Sequence, residues 1–398
     1  MRILQVCNKP PYPPKDGGSI AMNMLTHGLI ACGNEVSVLA INTPKHFIKE
    51  EDIASDYLKK TSYQSIFVDT SIKPLHAILN FFTSESYNIS RFYNKEFEKK
   101  LVDIITNNQF DIIQLESLWI SCYVKSIRAN STAKIILRSH NVEYLLWERL
   151  AKNCKSLIKK TYLNFLSKRL KQYEIAMLNK YDGIACITLE DISIFKKDGC
   201  SLPMIHIPFG IDIESYQVIK DQIEKDSLFH IGAMDWMPNT TGIKWFLETI
   251  WSKILPTHPS IKLYLAGRSM PSWLTNLNVK SVVVEGEVVN SHQFMNSKSI
   301  MIVPLKSGGG MRVKIIEGMA LGKTIISTTI GAEGIEYEDK KNILIADSVN
   351  DFEKAITKCL SDKNYCEEIG LNARALVENK YDNKRICDNL HSFYLSLK

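Results

Sequence analysis

"IMIVPLKSGGGMRVKIIEGMALGKTIISTT" (residues 300–329) begins and ends in apolar runs, "IMIVPLK" (300–306) and "KTIISTT" (323–329), with three glycines and a periodic segment between them. Runs without a polar residue at every second position predict strands buried on both faces. The stretch therefore reads as strand, loop, helix, strand, a unit whose two strands lie parallel. The pattern recurs along the whole chain. Upstream, strands are predicted at 2–8, 35–42, 65–70, 110–117, 134–141, 183–188 and 204–210, and then at 228–234, 262–268 and 281–288; one more lies downstream, at 342–348. Two such sets predict an α/β protein of two Rossmann-like doubly wound domains facing each other across a cleft. The domains are expected at residues 1–208 and 209–382, divided in "PFGIDIESYQVIKDQIEKDS" (208–227), where apolar periodicity lapses. In such sheets ligands bind beyond the carboxyl ends of the strands. There lie "NKPPYPPKDGGS" (8–19), "SHNVEY" (139–144) and "SGGGMRVK" (307–314).

Composition agrees with this plan. A chain of 398 residues exceeds the size at which one core keeps growing, and 45% hydrophobic with 23% charged residues is ordinary for a globular protein. No window reaches the 18 apolar residues of a membrane span, and the opening apolar run is too brief for a signal peptide. Nine cysteines, odd in number and without a C-x-x-C pair, read as reduced thiols of a cytosolic protein. The nine histidines do not cluster with cysteines or carboxylates, so no metal site is expected. A net charge of +6 permits an anionic ligand or a membrane surface and gives no argument for nucleic acid.

Glycine lets the backbone approach a ligand closely. Gly308, Gly309 and Gly310 ahead of a helix would leave several amide N–H groups pointing outward with the positive helix end behind them, a seat for phosphate. Arg312 and Lys314 add cationic donors suited to a diphosphate. At helical spacing Val313, Ile315, Ile316, Met319 and Ala320 share one arc, with Leu321 the exception to the division. Lys314, Glu317 and Gly318 share the opposite arc, where Gly318 would leave room for a ligand and Glu317 could accept from ribose hydroxyls. A tight loop with a solvated charged helix face is the alternative for the glycines alone.

"GGGMRVKIIEGMALGKTIISTTIGAEGI" resembles the donor-site signature of the retaining GT-B glycosyltransferases, family 4. "NKPPYPPKDGGSIAMN", "RSHNVEY", "IPFGID" and "FHIGAMDWMPN" resemble further motifs of that family in the same order, across nearly the whole chain. The resemblance implies transfer of a sugar from a nucleotide-diphosphate sugar to an acceptor with retained anomeric configuration and no obligatory metal or cofactor. A UDP-sugar is the favoured donor and a GDP-sugar the other candidate. The expected acceptor is a saccharide or lipid-linked saccharide of bacterial surface polysaccharide synthesis. Arg312 and Lys314 would contact the diphosphate with amides of Gly308 to Met311, Glu317 the ribose, and His140 the donor sugar. Gly17 and Gly18 would lie over the diphosphate and acceptor. Gly267, Glu285, Gly286 and Val288 would line the nucleotide, the segment Val284–Val288 meeting the base. The terminal helix 383–398 would return onto the first domain. Two departures stand out. The first glutamate of the E-x7-E pattern is replaced by Gly309, and the cations that relatives carry after the first strand of this domain are absent, with Met234 and Asn239 near their places and Lys244 the only cation close by. Arg312 and Lys314 are read as their replacements.

For His140, hydrogen bonding is expected rather than deprotonation. Gly17 and Gly18 are read either as site residues or as the start of the helix "SIAMNMLTHGLIACG", and Asp16 as a cap or an acceptor contact. "ERLAKNCKSLIKKTYLNFLSKRLKQYE" (148–174) is basic and amphipathic, suited to peripheral contact with the inner face of the cytoplasmic membrane, or else a helix packed on its apolar side. The rival functions are a nucleotide-sugar epimerase of the same fold, whose acid/base carboxylates are not found, and a catalytically silent nucleotide-sugar-binding partner, which the missing glutamate favours. No strand is followed by G-x-G-x-x-G, which disfavours a dinucleotide dehydrogenase.

Overall fold

The thirteen runs read as strands all become strands. The computed structural model describes residues 1–73, 80, 85–219, 221 and 223–397. The chain divides into two units, Met1–Gly210 with Asn383–Lys398, and Ile211–Asp382.

In the first unit β1 (Arg2–Cys7), β2 (Glu35–Asn42), β3 (Gln64–Phe67), β4 (Ile112–Glu116), β5 (Lys134–Ser139), β6 (Gly183–Cys186) and β7 (Met204–His206) form one parallel sheet in the order β3-β2-β1-β4-β5-β6-β7. In the second, β8 (Glu224–Ile231), β9 (Lys262–Ala266), β10 (Val282–Gly286), β11 (Lys298–Val303), β12 (Thr324–Ser327) and β13 (Leu344–Ile345) form another, in the order β10-β9-β8-β11-β12-β13. Both orders reverse direction once, between β1 and β4 and between β8 and β11. At such a point neighbouring crossovers leave to opposite faces and open a crevice above the strand ends.

Two readings are corrected. β8 begins at Glu224, inside the segment read as a polar divider, because Glu224 is held by Lys298 at 2.7 Å and Lys262 at 3.0 Å in a polar start to the strand. β10 is not covered on both faces. It is an edge strand whose residues alternate between exposed and half-buried.

Alternation within the central strands of the first unit sorts their side chains into two cores. Leu4, Val6, Ile113, Leu115 and Leu137 face one side. Ile3, Cys7, Ile112 and Ile136 face the other, beneath the helices Gly17–Ala31 and Asn383–Ser396, which contribute Leu25, Leu29, Ile386, Leu390 and Tyr394. These two helices pack so closely that a Cβ on Gly28 would sit 2.2 Å from Cys387 Sγ. The second side also takes four polar residues that are fully or almost fully buried: Gln5, Gln114, Glu116 and Arg138.

The helices Glu143–Lys152 and Leu157–Met177 form a hairpin. Its base is fastened by the buried Glu174, whose carboxylate accepts the backbone N–H groups of Glu143 (3.1 Å) and Tyr144 (2.9 Å) at the start of the first helix. Burial, then the neighbouring Glu174, pushes the Glu143 carboxyl up to about 8. Burial also pushes Glu174 up to about 8, against the lowering by its two backbone bonds. Those bonds favour charge on Glu174, so the proton of the pair resides on Glu143. For Glu143, a folded value above the ordinary 4.5 means that its contribution to stability is complete below pH 4.5 and is lost as pH rises through about 8. Glu143→Gln is expected to flatten the fall in unfolding free energy between about pH 5 and 9, measured by urea denaturation. An unchanged slope would show that the pair does not hold its proton.

Candidate functional site

In the second unit the glycine loop lies beside the switch point, between the end of β11 and the helix Val313–Ala320. Gly308 and Gly310 adopt φ of 119° and 84°, values that side-chain-bearing residues rarely take. A Cβ on Gly308 would lie 2.8 Å from Arg312 Nη2 and 2.9 Å from Trp236 Cη2. The missing side chain is therefore what admits the arginine. Arg312 is the N-cap residue of the helix, and no side chain caps the first-turn amides. Its guanidinium lies over the Trp236 ring, Cζ 4.8 Å from the centroid. Nη1 donates to the carbonyls of Gly309 and Gly310, which closes the loop on itself. Nε and Nη2 are buried without a hydrogen-bond partner. Burial lowers the guanidinium to about 10, with the Glu333 carboxylate opposing, so it keeps its charge at neutral pH. A half-buried cation with two buried, unused donors, beside uncapped amides at a helix start, is arranged to receive an anion.

One turn on, Lys314 Nζ lies 2.8 Å from Glu317 Oε2, and the Tyr216 hydroxyl donates to Oε1 at 3.1 Å. The Tyr216 ring packs against His292 at 4.3 Å between centroids. Glu317 is 7% exposed, so this carboxylate is held in a fixed orientation. Gly318 corrects the sequence reading. A Cβ there would meet Met301 Sδ at 2.9 Å and Ile325 Cδ1 at 3.0 Å, so the glycine admits the sheet and leaves no room for a ligand. Leu321, the exception to the two arcs, is the C-cap, outside the helix.

The other residues of the second unit are more dispersed. Gly267, just past β9, has φ of 148°, and a Cβ on it would overlap the Gly232 carbonyl oxygen at 1.7 Å; packing of the two strand ends alone requires glycine there. Gly286 has φ of 73° and open space where a side chain would be. Glu285 is exposed and Val288 half-buried on the edge of the sheet. Where cations were noted as missing, Met234 is buried and Asn239 Nδ2 donates to the Ala233 carbonyl at 2.9 Å. Lys244 is exposed, 3.9 Å from Glu248. Trp236, Tyr216 and His292 were not anticipated. The one signal was Trp236, a large aromatic in the loop after β8, where nothing in the strand pattern calls for it. Among the described residues no group of three or more histidines, cysteines and carboxylates is placed to hold a metal ion.

In the first unit His140 follows β5, and its Nε2 lies 2.8 Å from Glu116 Oε2 at the end of β4. Glu116 is fully buried and also accepts from Gln5 Nε2 (2.7 Å), Gln114 Nε2 (2.5 Å) and Arg138 Nη1 (3.4 Å). Gln5 in turn accepts from Thr26 Oγ1 at 2.5 Å, and Gln114 from the Tyr394 hydroxyl. Burial raises the Glu116 carboxyl, but Arg138 and the His140 bond outweigh it and hold it at about 2. Burial lowers His140 despite the Glu116 bond. A neutral ring beside an ionised carboxylate donates Nε2–H to it, which leaves Nδ1 as an acceptor. Gly17 and Gly18 are the first two residues of the helix Gly17–Ala31, and Asp16 is its cap in a reciprocal bond set with Ser19. Asp16 also pairs with Lys9 at 2.5 Å and His46 at 3.3 Å. A Cβ on Gly18 would approach Lys9 Nζ to 2.8 Å, so that glycine gives the lysine its place.

Residues 225–362 match the family model described as Glycosyl transferases group 1. The whole chain is 24% identical to an "Uncharacterized 44.6 kDa protein in cps region" of Klebsiella pneumoniae, covering 98% of each. Among solved structures, sucrose-phosphate synthase of Thermosynechococcus elongatus superposes with a TM-score of 0.70 at 14% identity, covering 100% of this chain and 99% of that one. Anabaena HepE in complex with UDP gives 0.70 at 13% identity over 100% of both chains, and its UDP-glucose complex 0.67 at 12%, again over 100% of both. At these identities the likeness establishes the fold, two parallel sheets with surrounding helices.

Proposed function

We propose that this chain is a retaining glycosyltransferase of family 4 that moves a sugar from a nucleotide-diphosphate sugar, a UDP-sugar by preference, to a saccharide acceptor. The observation that carries the reading is Arg312, a half-buried cation whose buried Nε and Nη2 are unpartnered at the mouth of a glycine loop, inside the segment matched by the glycosyltransferase family model. In this reading the bond between the sugar carbon and the diphosphate oxygen breaks while the acceptor oxygen bonds to that carbon, and the proton of the acceptor hydroxyl passes to the departing diphosphate oxygen. Charge develops on the leaving diphosphate, and fixed donors aimed at that charge lower the barrier because they need no reorganisation. Arg312, Lys314 and the amides of Gly308 to Met311 supply them. Glu317, oriented by Tyr216, takes the ribose hydroxyls. His140 offers Nδ1 to a hydroxyl of the transferred sugar. Its role in this reading is that of a hydrogen-bond acceptor, because retention demands no base at that position and burial, which lowers its pKa, makes the ring a weaker one. Gly267, Glu285, Gly286 and Val288 line the nucleotide, and Gly17 and Gly18 attend the diphosphate and acceptor.

The relative's cps-region label and the glycosyltransferase match support an acceptor in surface polysaccharide synthesis, of which a lipid-linked saccharide is the form proposed. A nucleotide-sugar-binding partner without turnover is the second reading, favoured by Gly309 in the place of a glutamate. Calorimetric titration with UDP, GDP, ADP and NAD tests the site, and UDP release from UDP-sugars in the presence of saccharide acceptors tests turnover. Binding of UDP with turnover is expected. Binding without turnover favours the second reading, and no binding of any diphosphate sinks both.

A further inference from the structure

Residues 149–173 hold eight lysines and arginines and no carboxylate; without these eight the chain's +6 would become −2. The structure divides this stretch into two parts. Its later apolar residues, Leu163, Leu166 and Leu170, are buried at 6% exposure or less. Two of the cations beside them are engaged, while Lys168 is exposed: Arg169 donates to the Asn80 carbonyl at 2.6 Å, and Lys171 Nζ lies 4.5 Å from the centroid of the Tyr144 ring. The tip of the hairpin is different. Leu157 and Ile158, the first two residues of the second helix, are 81% and 87% exposed, and Leu150 across the turn is 53% exposed. Lys152, Lys155 and Lys159 are exposed around them, with Lys160 half-buried.

Adjacent aliphatic side chains with almost no cover, flanked in sequence by exposed lysines, match an anionic interface in chemistry. We propose that the tip of this hairpin docks on an anionic bilayer, Leu157 and Ile158 entering the acyl boundary while the lysines meet headgroup phosphates. The mode is insertion of a tip. The whole stretch cannot lie flat, because the face it would lay down is already occupied by the core of the first unit. No helix among the described residues is long and apolar enough to cross a membrane, so the contact is peripheral. The glutamate clamp at the base of the hairpin holds the tip in place for this. The proposal stands independently of the nucleotide reading.

Co-sedimentation of the full chain with phosphatidylcholine vesicles, and with vesicles containing phosphatidylglycerol, tests it. Each lysine near an anionic surface contributes about fivefold to partitioning, and each inserted aliphatic side chain roughly tenfold. Binding to anionic vesicles only, abolished by about 0.5 M salt, is expected. Lys155→Gln/Lys159→Gln/Lys160→Gln should weaken it about a hundredfold, and Leu157→Ser/Ile158→Ser to a similar extent. Because all five positions lie at the exposed end, the thermal transitions of both variants should match the parent. Failure of the parent to sediment with anionic vesicles overturns the proposal. So does binding that Leu157→Ser/Ile158→Ser leaves unchanged, or equal affinity for soluble polyglutamate, either of which would point to an acidic protein partner.

Discussion

A Glu116→Ala variant is expected to unfold at markedly lower urea, with a loss of about 3–5 kcal/mol. Glu116 is the centre of the first unit's polar network, and Arg138 beside it is 1% exposed. Alanine would strand that guanidinium in a site that cannot hydrate it, and would leave the amides of Gln5 and Gln114 without their acceptor. Desolvated, unpaired charge dominates this sum, because each neutral hydrogen bond is worth only about 1 kcal/mol net. Glu116→Gln keeps the shape but brings two new donors toward donors already present, so it should cost less than alanine yet more than a surface change. The pH dependence gives an independent check. A folded value of about 2, below the ordinary 4.5, means the stabilisation is full above pH 4.5 and vanishes as pH falls through about 2. The acid limb of the stability curve should therefore be shallower in Glu116→Gln. A loss under about 1 kcal/mol in Glu116→Ala, or an unaltered acid limb, would mean that the network does not hold His140 as described.

Arg312→Ala is expected to weaken UDP binding about a hundredfold while leaving stability within about 1 kcal/mol. The two effects separate because of how the guanidinium is used. Only Nη1 is bonded within the protein, to the carbonyls of Gly309 and Gly310. Nε and Nη2 are buried without partners, a cost to the folded protein that binding of an anion would recover in the proposed reading. Removing the side chain thus relieves one penalty while loosening the glycine loop. Arg312→Lys should restore part of the affinity, since an ammonium keeps the charge but loses the planar fork and its fit over Trp236. Calorimetry of the three proteins, with thermal unfolding of each, decides it. Affinity changed by less than threefold would remove Arg312 from the site. A large drop in stability in Arg312→Ala would make the residue a structural brace.

The strands were readable because parallel sheets covered on both faces demand long apolar runs, and "RILQVC" or "IMIV" can serve little else. The polar network was not. Gln5, Gln114 and Glu116 sit within such runs, and a single polar residue in a strand reads as noise until its neighbours are known from register. Gln5 lies opposite Gln114, and Glu116 opposite Arg138, only once β1, β4 and β5 are paired. The glycine loop was legible in its chemistry, since its charges are contiguous. Its orientation was less so. Periodicity placed Gly318 on the ligand side because glycine was counted with the polar arc, whereas contact with Met301 and Ile325 puts it against the sheet. Trp236, which supports Arg312, is 76 residues distant in sequence and joins it only through the adjacency of β8 and β11.

The first unit is discontinuous in sequence, since its last helix is made of residues 383–396. During synthesis on the ribosome, residues 211–382 emerge as a continuous block with every strand of their sheet present. The earlier-made first unit is then still missing the helix that supplies Ile386, Leu390 and Tyr394 to its second core. The N-terminal half must wait, with one apolar face of its sheet part-covered, while the C-terminal half completes itself. The polar network waits with it, because Tyr394 provides the hydroxyl that Gln114 accepts. The last piece of the first unit is therefore translated only after the whole of the second.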